Sequence, residues 1–418
     1  MKNQQLIGPI SQLITLNNLP LKGAISDEQL EIIPHAGIWI KDDQILEVGS
    51  YESLRKKVDW NETARKYIEG NYVALPGLVD CHTHICFGGS RAKDFAMRNE
   101  GKSYLEIAES GGGIWDTVKE TRALSANDLA KVTQSRAERH LAEGVTTIEV
   151  KSGYGLSISE EIKMLSAIQK ANNRIAADLI PTCLAAHTLP KDWEGSKEEY
   201  IKEITEKLLP LLQKQMLCKR VDAFVEKSAF SPEEVIPYFQ KAKELGFDIT
   251  VHADQFSVGG SALAVKLGAI SADHLEASGE KEIELLAKSN TISVALPGAS
   301  LGLGCGFTPA RKILDRGGSL AIASDWNPGS APMGDLLTQA SILATFEKLG
   351  TAEVFAGITF RAAAALGLQD RGRLAAGQLA DFVLFPTSDY REILYQQGKL
   401  KPEMVWKSGK KVTGKSKD

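Results

Sequence analysis

Seven histidines are spread over 418 residues, and two of them, His82 and His84, stand two apart in LPGLVDCHTHICFGG (75–89). On a strand, side chains at i and i+2 share a face, so both imidazoles would project into one space. Paired neutral imidazoles suit an ion such as zinc or iron. One His-x-His proves little, because a lone histidine is more often a satisfied core residue. His252 ends the run FDITVHAD (247–254), and Asp325 lies near the end of LAIASDW (320–326). Three imidazole nitrogens and one carboxylate leave a position for water, as a hydrolytic metal site requires. His187 and His274 end two further apolar runs. Imidazole titrates near neutrality, so both are candidates for general acid–base or electrophilic work.

Such a grouping needs elements that carry distant residues to one place. The middle of the chain alternates strand-like and helix-like segments. In SPEEVIPYFQKAKELG (231–246), Ser231 reads as an N-cap with Pro232 next and Glu234 completing a capping box. Val235, Phe239, Ala242 and Leu245 follow at helical spacing, and Gly246 stops the run. SANDLAKVTQSRAERHLAEG (125–144) followed by VTTIEVK (145–151) repeats the unit. Eight strand segments are expected, at 73–84, 145–151, 175–187, 221–226, 247–254, 269–275, 291–297 and 320–326. The fold class is therefore α/β, a TIM-like (β/α)8 barrel whose reactive groups gather at strand C-terminal ends. Five of the seven histidines fall there, while His35 and His140 do not. Closing the barrel sets strand one beside strand eight, and so His82 and His84 beside Asp325.

Both ends of the chain are strand-rich. GIWIKDDQILEV (37–48) reads as a hairpin around Asp42-Asp43, and ADFVLF (380–385) with EMVWKSGKKV (403–412) answers it from the far end. We expect a small β-sandwich domain built from both termini, 1–72 plus 369–418, with the barrel over 73–368. The basic end KSGKKVTGKSKD is expected to be a frayed, solvated tail. A net charge of -4 argues against nucleic acid or an acidic membrane surface as partner. The five scattered cysteines form no CxxC pair, no signal peptide is evident and no apolar run is long enough to span a membrane. The expected setting is the cytoplasm.

His82-Thr83-His84, His252, His274 and Asp325, in this order and over nearly the whole chain, resemble the amidohydrolase superfamily. CHTHICFGGSRAKDF (81–95), EVKSGYGL (149–156), AAHTLP (185–190), HADQF (252–256) and SDWNPGSAP (324–332) resemble, within it, the imidazolonepropionase family. The resemblance implies hydrolysis of a small-molecule substrate, 4-imidazolone-5-propanoate, to N-formimidoyl-L-glutamate. It implies one divalent or trivalent metal ion per chain, zinc or iron, on His82, His84, His252 and Asp325. It further implies substrate contacts from Arg91, Tyr154, His187, Gln255, Asn327, Gly329 and Ser330, and a homodimer. Arg91 and Tyr154 suit a propionate, because guanidinium and phenol hold carboxylates by charge-assisted hydrogen bonds.

In the chemistry this implies, Asp325 is the base, sharing its proton with His274, and His187 stabilises the developing oxyanion. Gln255 stands where related deaminases carry a glutamate proton shuttle, and an amide cannot be a general base. That weakens one alternative, a nucleobase-type deaminase; another cyclic amide or amidine hydrolase of the superfamily stays open. Neither Lys151 nor Lys227 ends strand four, where two-metal relatives carry a carboxylated lysine, so one metal is expected. Glu226, which does end it, reads as metal-supporting or merely structural. Asp273 should point away from His274 and serve structure only.

Overall fold

The computed structural model describes residues 3–102, 106–107 and 110–413. The N-terminal segment forms strands β1 (Gln4–Ile14), β2 (Ile32–Lys41), β3 (Gln44–Ser50), β4 (Thr63–Tyr67) and β5 (Val73–Pro76). β2 and β3 pair antiparallel about Asp42-Asp43, with Asp42 at φ 54°, a left-handed turn position that aspartate tolerates.

Eight parallel strands then follow in chain order. They are β6 (Leu78–Asp80), β7 (Val145–Lys151), β8 (Asp178–Ala186), β9 (Arg220–Val225), β10 (Asp248–Ala253), β11 (Ser271–His274), β12 (Ile292–Ala295) and β13 (Leu320–Ile322). Each pairs with the next, and helices cover the outside. The helix expected after Ser231 runs Pro232–Glu244, and its capping box forms in both directions (Glu234 N to Ser231 Oγ 3.3 Å, Ser231 N to Glu234 Oε2 2.6 Å). Val235, Phe239 and Ala242 are buried on its inner face.

The chain returns through β14 (Phe382–Phe385), β15 (Met404–Lys407) and β16 (Lys410–Thr413). The terminal strands, expected as a sandwich, join in one sheet of order β16-β15-β14-β5-β1-β2-β3, with β4 also on β1. Its inner face closes on one apolar cluster that includes Ile7, Ile38, Ala74, Phe382 and Trp406.

Two expectations need correction. The segment 73–84 is not one barrel strand. Val73–Pro76 pairs with β14 and β1 in the terminal sheet, and only Leu78–Asp80 enters the barrel. Gly77 marks the crossing, its N–H donating to Asp381 O (2.9 Å). Nor is the basic end all frayed. β15 and β16 form a hairpin, and buried Lys407 bonds Asp381 (2.7 Å) and Asp178 (2.8 Å). Residues 414–418 of that end lie outside the described residues. Among the described residues no helix is long and apolar enough to cross a membrane.

Candidate metal centre and active-site cavity

The metal-ligand candidates close the barrel. Past β6 the chain stays extended, and Thr83 bridges in parallel to Trp326 beyond β13. His84 N donates to Trp326 O (2.9 Å) and Asp325 N to His82 O (3.0 Å). His82, His84 and Asp325 therefore sit on one seam, as adjacency of strands one and eight requires. Both His and Asp come after the strand ends rather than within them, and Asp325 takes φ 49°, turning its carboxylate inward.

His252, on β10, completes the cluster. His84 Nε2 lies 3.2 Å from His82 Nε2 and 3.3 Å from His252 Nε2. Asp325 Oδ1 is 3.5 Å from the Nε2 of both His82 and His84. Burial, foremost, holds His82 and His84 well below their ordinary pKa and His252 at about 4, so all three are neutral. The outer nitrogens of His82 and His252 have acidic neighbours, while that of His84 is buried without a hydrogen-bond partner. His82 Nδ1 donates to Asp273 Oδ2 (2.7 Å), which leaves its Nε2 a bare lone pair. His252 Nδ1 lies 2.8 Å from Asp222 Oδ2, off the ideal hydrogen-bond axis but close enough to draw the ring proton to that side. Lone pairs converging at such distances repel one another, and a cation between them relieves it. The donor set thus fits a divalent metal ion.

Beneath the cluster, Lys151 is fully buried between Glu149 Oε1 (2.7 Å), Asp222 Oδ2 (2.9 Å) and Asp273 Oδ2 (3.7 Å). Burial pulls its ammonium pKa down, but Asp222, Glu149 and Asp273 outweigh that and hold it above its ordinary value. Asp273 is thus not merely structural: it orients the imidazole of His82, a candidate metal ligand. The expected strand alternation fails because His274 leaves extended backbone, at φ 87° with Leu275 at 71°, so both Asp273 and His274 reach the interior. Sequence reasoning missed Asp222 and Glu149 altogether. Glu149 left one faint signal, its shared face with Lys151 on β7, and Asp222 on β9 left none.

Burial pushes Asp325 up to about 7, against the downward pulls of His274 and of a hydrogen bond from Asn327 Nδ2 (2.9 Å). Burial depresses His274, but Glu276, Asp325 and Asp273 outweigh it and raise its pKa. His187 Nδ1 donates to Gly153 O (2.9 Å), and burial keeps the ring neutral. Its Nε2 is then an acceptor. A neutral ring held in that tautomer offers a lone pair, not a proton, to the cavity.

A cavity of about 690 Å³ opens above the cluster, lined by His84, His187, His252, His274 and Asp325 and by every expected substrate contact. Arg91 is oriented by a short bond to Asp94 and by Thr117 Oγ1 (3.5 Å). Tyr154 is buried, its phenol pKa raised mainly by burial, so its hydroxyl stays a donor. Gln255 lies on the wall, on a loop anchored by Glu226, whose carboxylate accepts from Phe256 N (2.9 Å) and Ser257 N (3.0 Å). Glu226 is therefore a loop anchor rather than a metal-supporting acid. Asn327 accepts from Gly329 N and Ser330 N (both 2.8 Å) through Oδ1, and its Nδ2 serves Asp325 and Ser330. Its amide is spent within its own turn. Arg98, which the sequence did not single out, also lines the cavity.

Comparison with known proteins decides the kinship. The model of the Amidohydrolase family matches residues 73–412. An imidazolonepropionase of Bdellovibrio bacteriovorus is 42% identical over 414 residues, covering 98% of this chain and 96% of that protein. Another, from Bacillus cytotoxicus, is 38% identical over 412 residues, covering 97% and 95%. This chain belongs to the amidohydrolase family, among its imidazolonepropionases. It is a metal-dependent hydrolase acting on carbon–nitrogen bonds. The fold agrees with more distant amidohydrolase-like structures. An atrazine chlorohydrolase from Arthrobacter aurescens, in complex with zinc, superposes with TM-score 0.73 at 17% identity, covering 98% of this chain and 95% of that one. An adenosine deaminase from Xanthomonas campestris with bound zinc gives 0.72 at 18%, covering 98% and 93%. In this imidazolonepropionase-family chain, Lys151 is committed to three carboxylates and Lys227 is exposed. Neither is placed to bridge two metals.

Proposed function

We propose that this protein hydrolyses 4-imidazolone-5-propanoate to N-formimidoyl-L-glutamate, a step of histidine degradation. The near-full-length identity to proteins named imidazolonepropionase carries the reading. His82, His84 and His252, with Asp325, hold a single ion, zinc or iron; the zinc in the atrazine chlorohydrolase of the same fold favours zinc. Such an ion supplies Lewis-acid chemistry, lowering the pKa of water from about 15.7 towards about 7.

The chain's own residues do the rest. Arg91, fixed by Asp94, and Tyr154 receive the propionate, setting the ring over the histidine cluster. His187 Nε2 accepts the ring N–H, and Gln255 contributes a further hydrogen bond from the facing wall. Asp325, whose carboxylate borders the histidine cluster, takes a proton from the attacking water. The water oxygen bonds to the ring carbonyl carbon, the carbon–nitrogen bond breaks, and the proton passes from Asp325, assisted by His274, to the departing nitrogen. Gly329 and Ser330 border this space through the turn that Asn327 holds. The acidic balance and the free cysteines, four of them buried, support a cytoplasmic enzyme with no nucleic-acid or membrane partner. We read it as a homodimer by family kinship.

The test is direct turnover. Metal-loaded protein should convert freshly made 4-imidazolone-5-propanoate to N-formimidoyl-L-glutamate, and His252→Ala should abolish the activity. Protein that holds its metal yet leaves the imidazolone intact would overturn the assignment.

A further inference from the structure

We propose that Arg98 is a positioning residue for this reaction, locking the turn that holds Asp325. The inference deepens the functional reading above and rests on it for its kinetic arm.

Arg91 caps one helix, Ala92–Asn99, which follows the first barrel strand, and Arg98 stands in its last turn. Their tasks differ. Arg98 Nη1 donates to Gly302 O (2.7 Å) and Nη2 to Gly329 O (3.1 Å). Gly302 lies on the helix Pro297–Leu303 after β12, and Gly329 in the turn after β13. One half-buried guanidinium therefore ties together the connections after barrel strands one, seven and eight. The join is tight: a Cβ on Gly302 would overlap the Ser330 carbonyl oxygen. From Gly329 the order continues inward. Gly329 N donates to Asn327 Oδ1 (2.8 Å), and Asn327 Nδ2 donates to Asp325 O (2.7 Å) and Oδ2 (2.9 Å). Arg98 thus reaches the base through one turn and one amide.

The pattern demands arginine. Two carbonyls on separate loops need two donors in a fixed fork, and a lysine ammonium offers no such plane. With both terminal nitrogens engaged by backbone, Arg98 is not the group that holds the substrate carboxylate. Its loss should therefore act on rate rather than binding. Displacing a reacting group by ~1 Å costs on the order of 100-fold.

The experiment compares Arg98→Met, Arg98→Lys and Gly302→Ala with the wild-type full chain. Gly302→Ala keeps the guanidinium but forces the same loops apart, so it tests the junction independently. All three should lower kcat, Arg98→Met by about 100-fold, with KM changed by less than roughly threefold. The cobalt(II)-loaded variants should show altered visible absorption, because the Asp325 carboxylate moves, while the thermal midpoints of the two Arg98 variants stay close to wild type. A raised KM at unchanged kcat would overturn the proposal by making Arg98 a carboxylate ligand. Wild-type kinetics would overturn it too, as would a lowered thermal midpoint with an unchanged cobalt spectrum. If the wild-type chain itself fails on the imidazolone, the functional reading falls, and the cobalt spectra alone decide the role of Arg98.

Discussion

Replacing Lys151 by methionine removes the one ammonium beneath the histidine cluster while nearly preserving volume. At an effective dielectric of about 20, a unit pair at the 2.9 Å separation of Lys151 and Asp222 attracts by roughly 6 kcal/mol. Burying the charges offsets most of that, so the better guide is the cost of leaving buried charges without a partner, about 3–5 kcal/mol. For a large domain, at roughly 2 °C per kcal/mol, the thermal midpoint of the metal-free protein should fall by roughly 6–10 °C. The loss should depend on pH. Burial holds Glu149 at about 7, with Lys151 among the groups pulling it down. Without Lys151 its folded pKa rises further, while the unfolded carboxyl stays at about 4.3. Between those values the folded chain binds more protons than the unfolded one, so stability falls as pH rises. Each further tenfold gain in the proton affinity of the folded carboxyl enlarges the loss above that range by about 1.4 kcal/mol. Thermal melts in chelator at pH 5 and pH 8 measure both effects. An unchanged midpoint, or a larger loss at pH 5 than at pH 8, would refute the assignment of Lys151 as the charge that holds these carboxylates.

Two further changes probe the site from either side. Asp273→Asn keeps the hydrogen bond to His82 Nδ1 within reach but removes its charge, so metal affinity should fall about 10- to 100-fold in competition with a chromogenic chelator. Arg91→Lys loses the fork that Asp94 orients; KM should rise about 10- to 100-fold, the worth of a charge-assisted hydrogen bond, with little change in kcat.

What could be read from the sequence follows from chemistry and period. Histidines and one aspartate near the ends of apolar runs announced the cluster, and the barrel brought them to one end. Capped helices such as Pro232–Glu244 were legible because cap, period and stop agree over a dozen residues. The break at Gly77 was not, because both halves of 73–84 are apolar and buried whichever sheet they join. The acids beneath the cluster were hidden for a different reason. Asp222 and Glu149 are ordinary acids in short strands, and what distinguishes them is which strand faces them across the barrel. Asp273 was misread because alternation presumes extended backbone, and the left-handed residue that follows it breaks the rule. Arg98 acts through two backbone carbonyls, and no residue type at Gly302 or Gly329 declares a guanidinium partner.

The hidden residues also explain why an ion belongs there. Glu149, Asp222, Asp273 and Asp325 are all buried, and the positive charges acting among them are Lys151, Arg220 and, on Asp325, His274. Burial alone would not push both Glu149 and Asp325 up to about 7 if that interior had cations enough. Two buried carboxyls that hold protons near neutrality leave room for added positive charge, which a divalent ion supplies at the converging imidazole nitrogens. Ion binding and loss of those protons are then linked, so affinity should weaken as pH falls through the range where Asp325 and Glu149 titrate. The lysine and aspartates that aim the imidazoles thus also set the charge that draws the ion in.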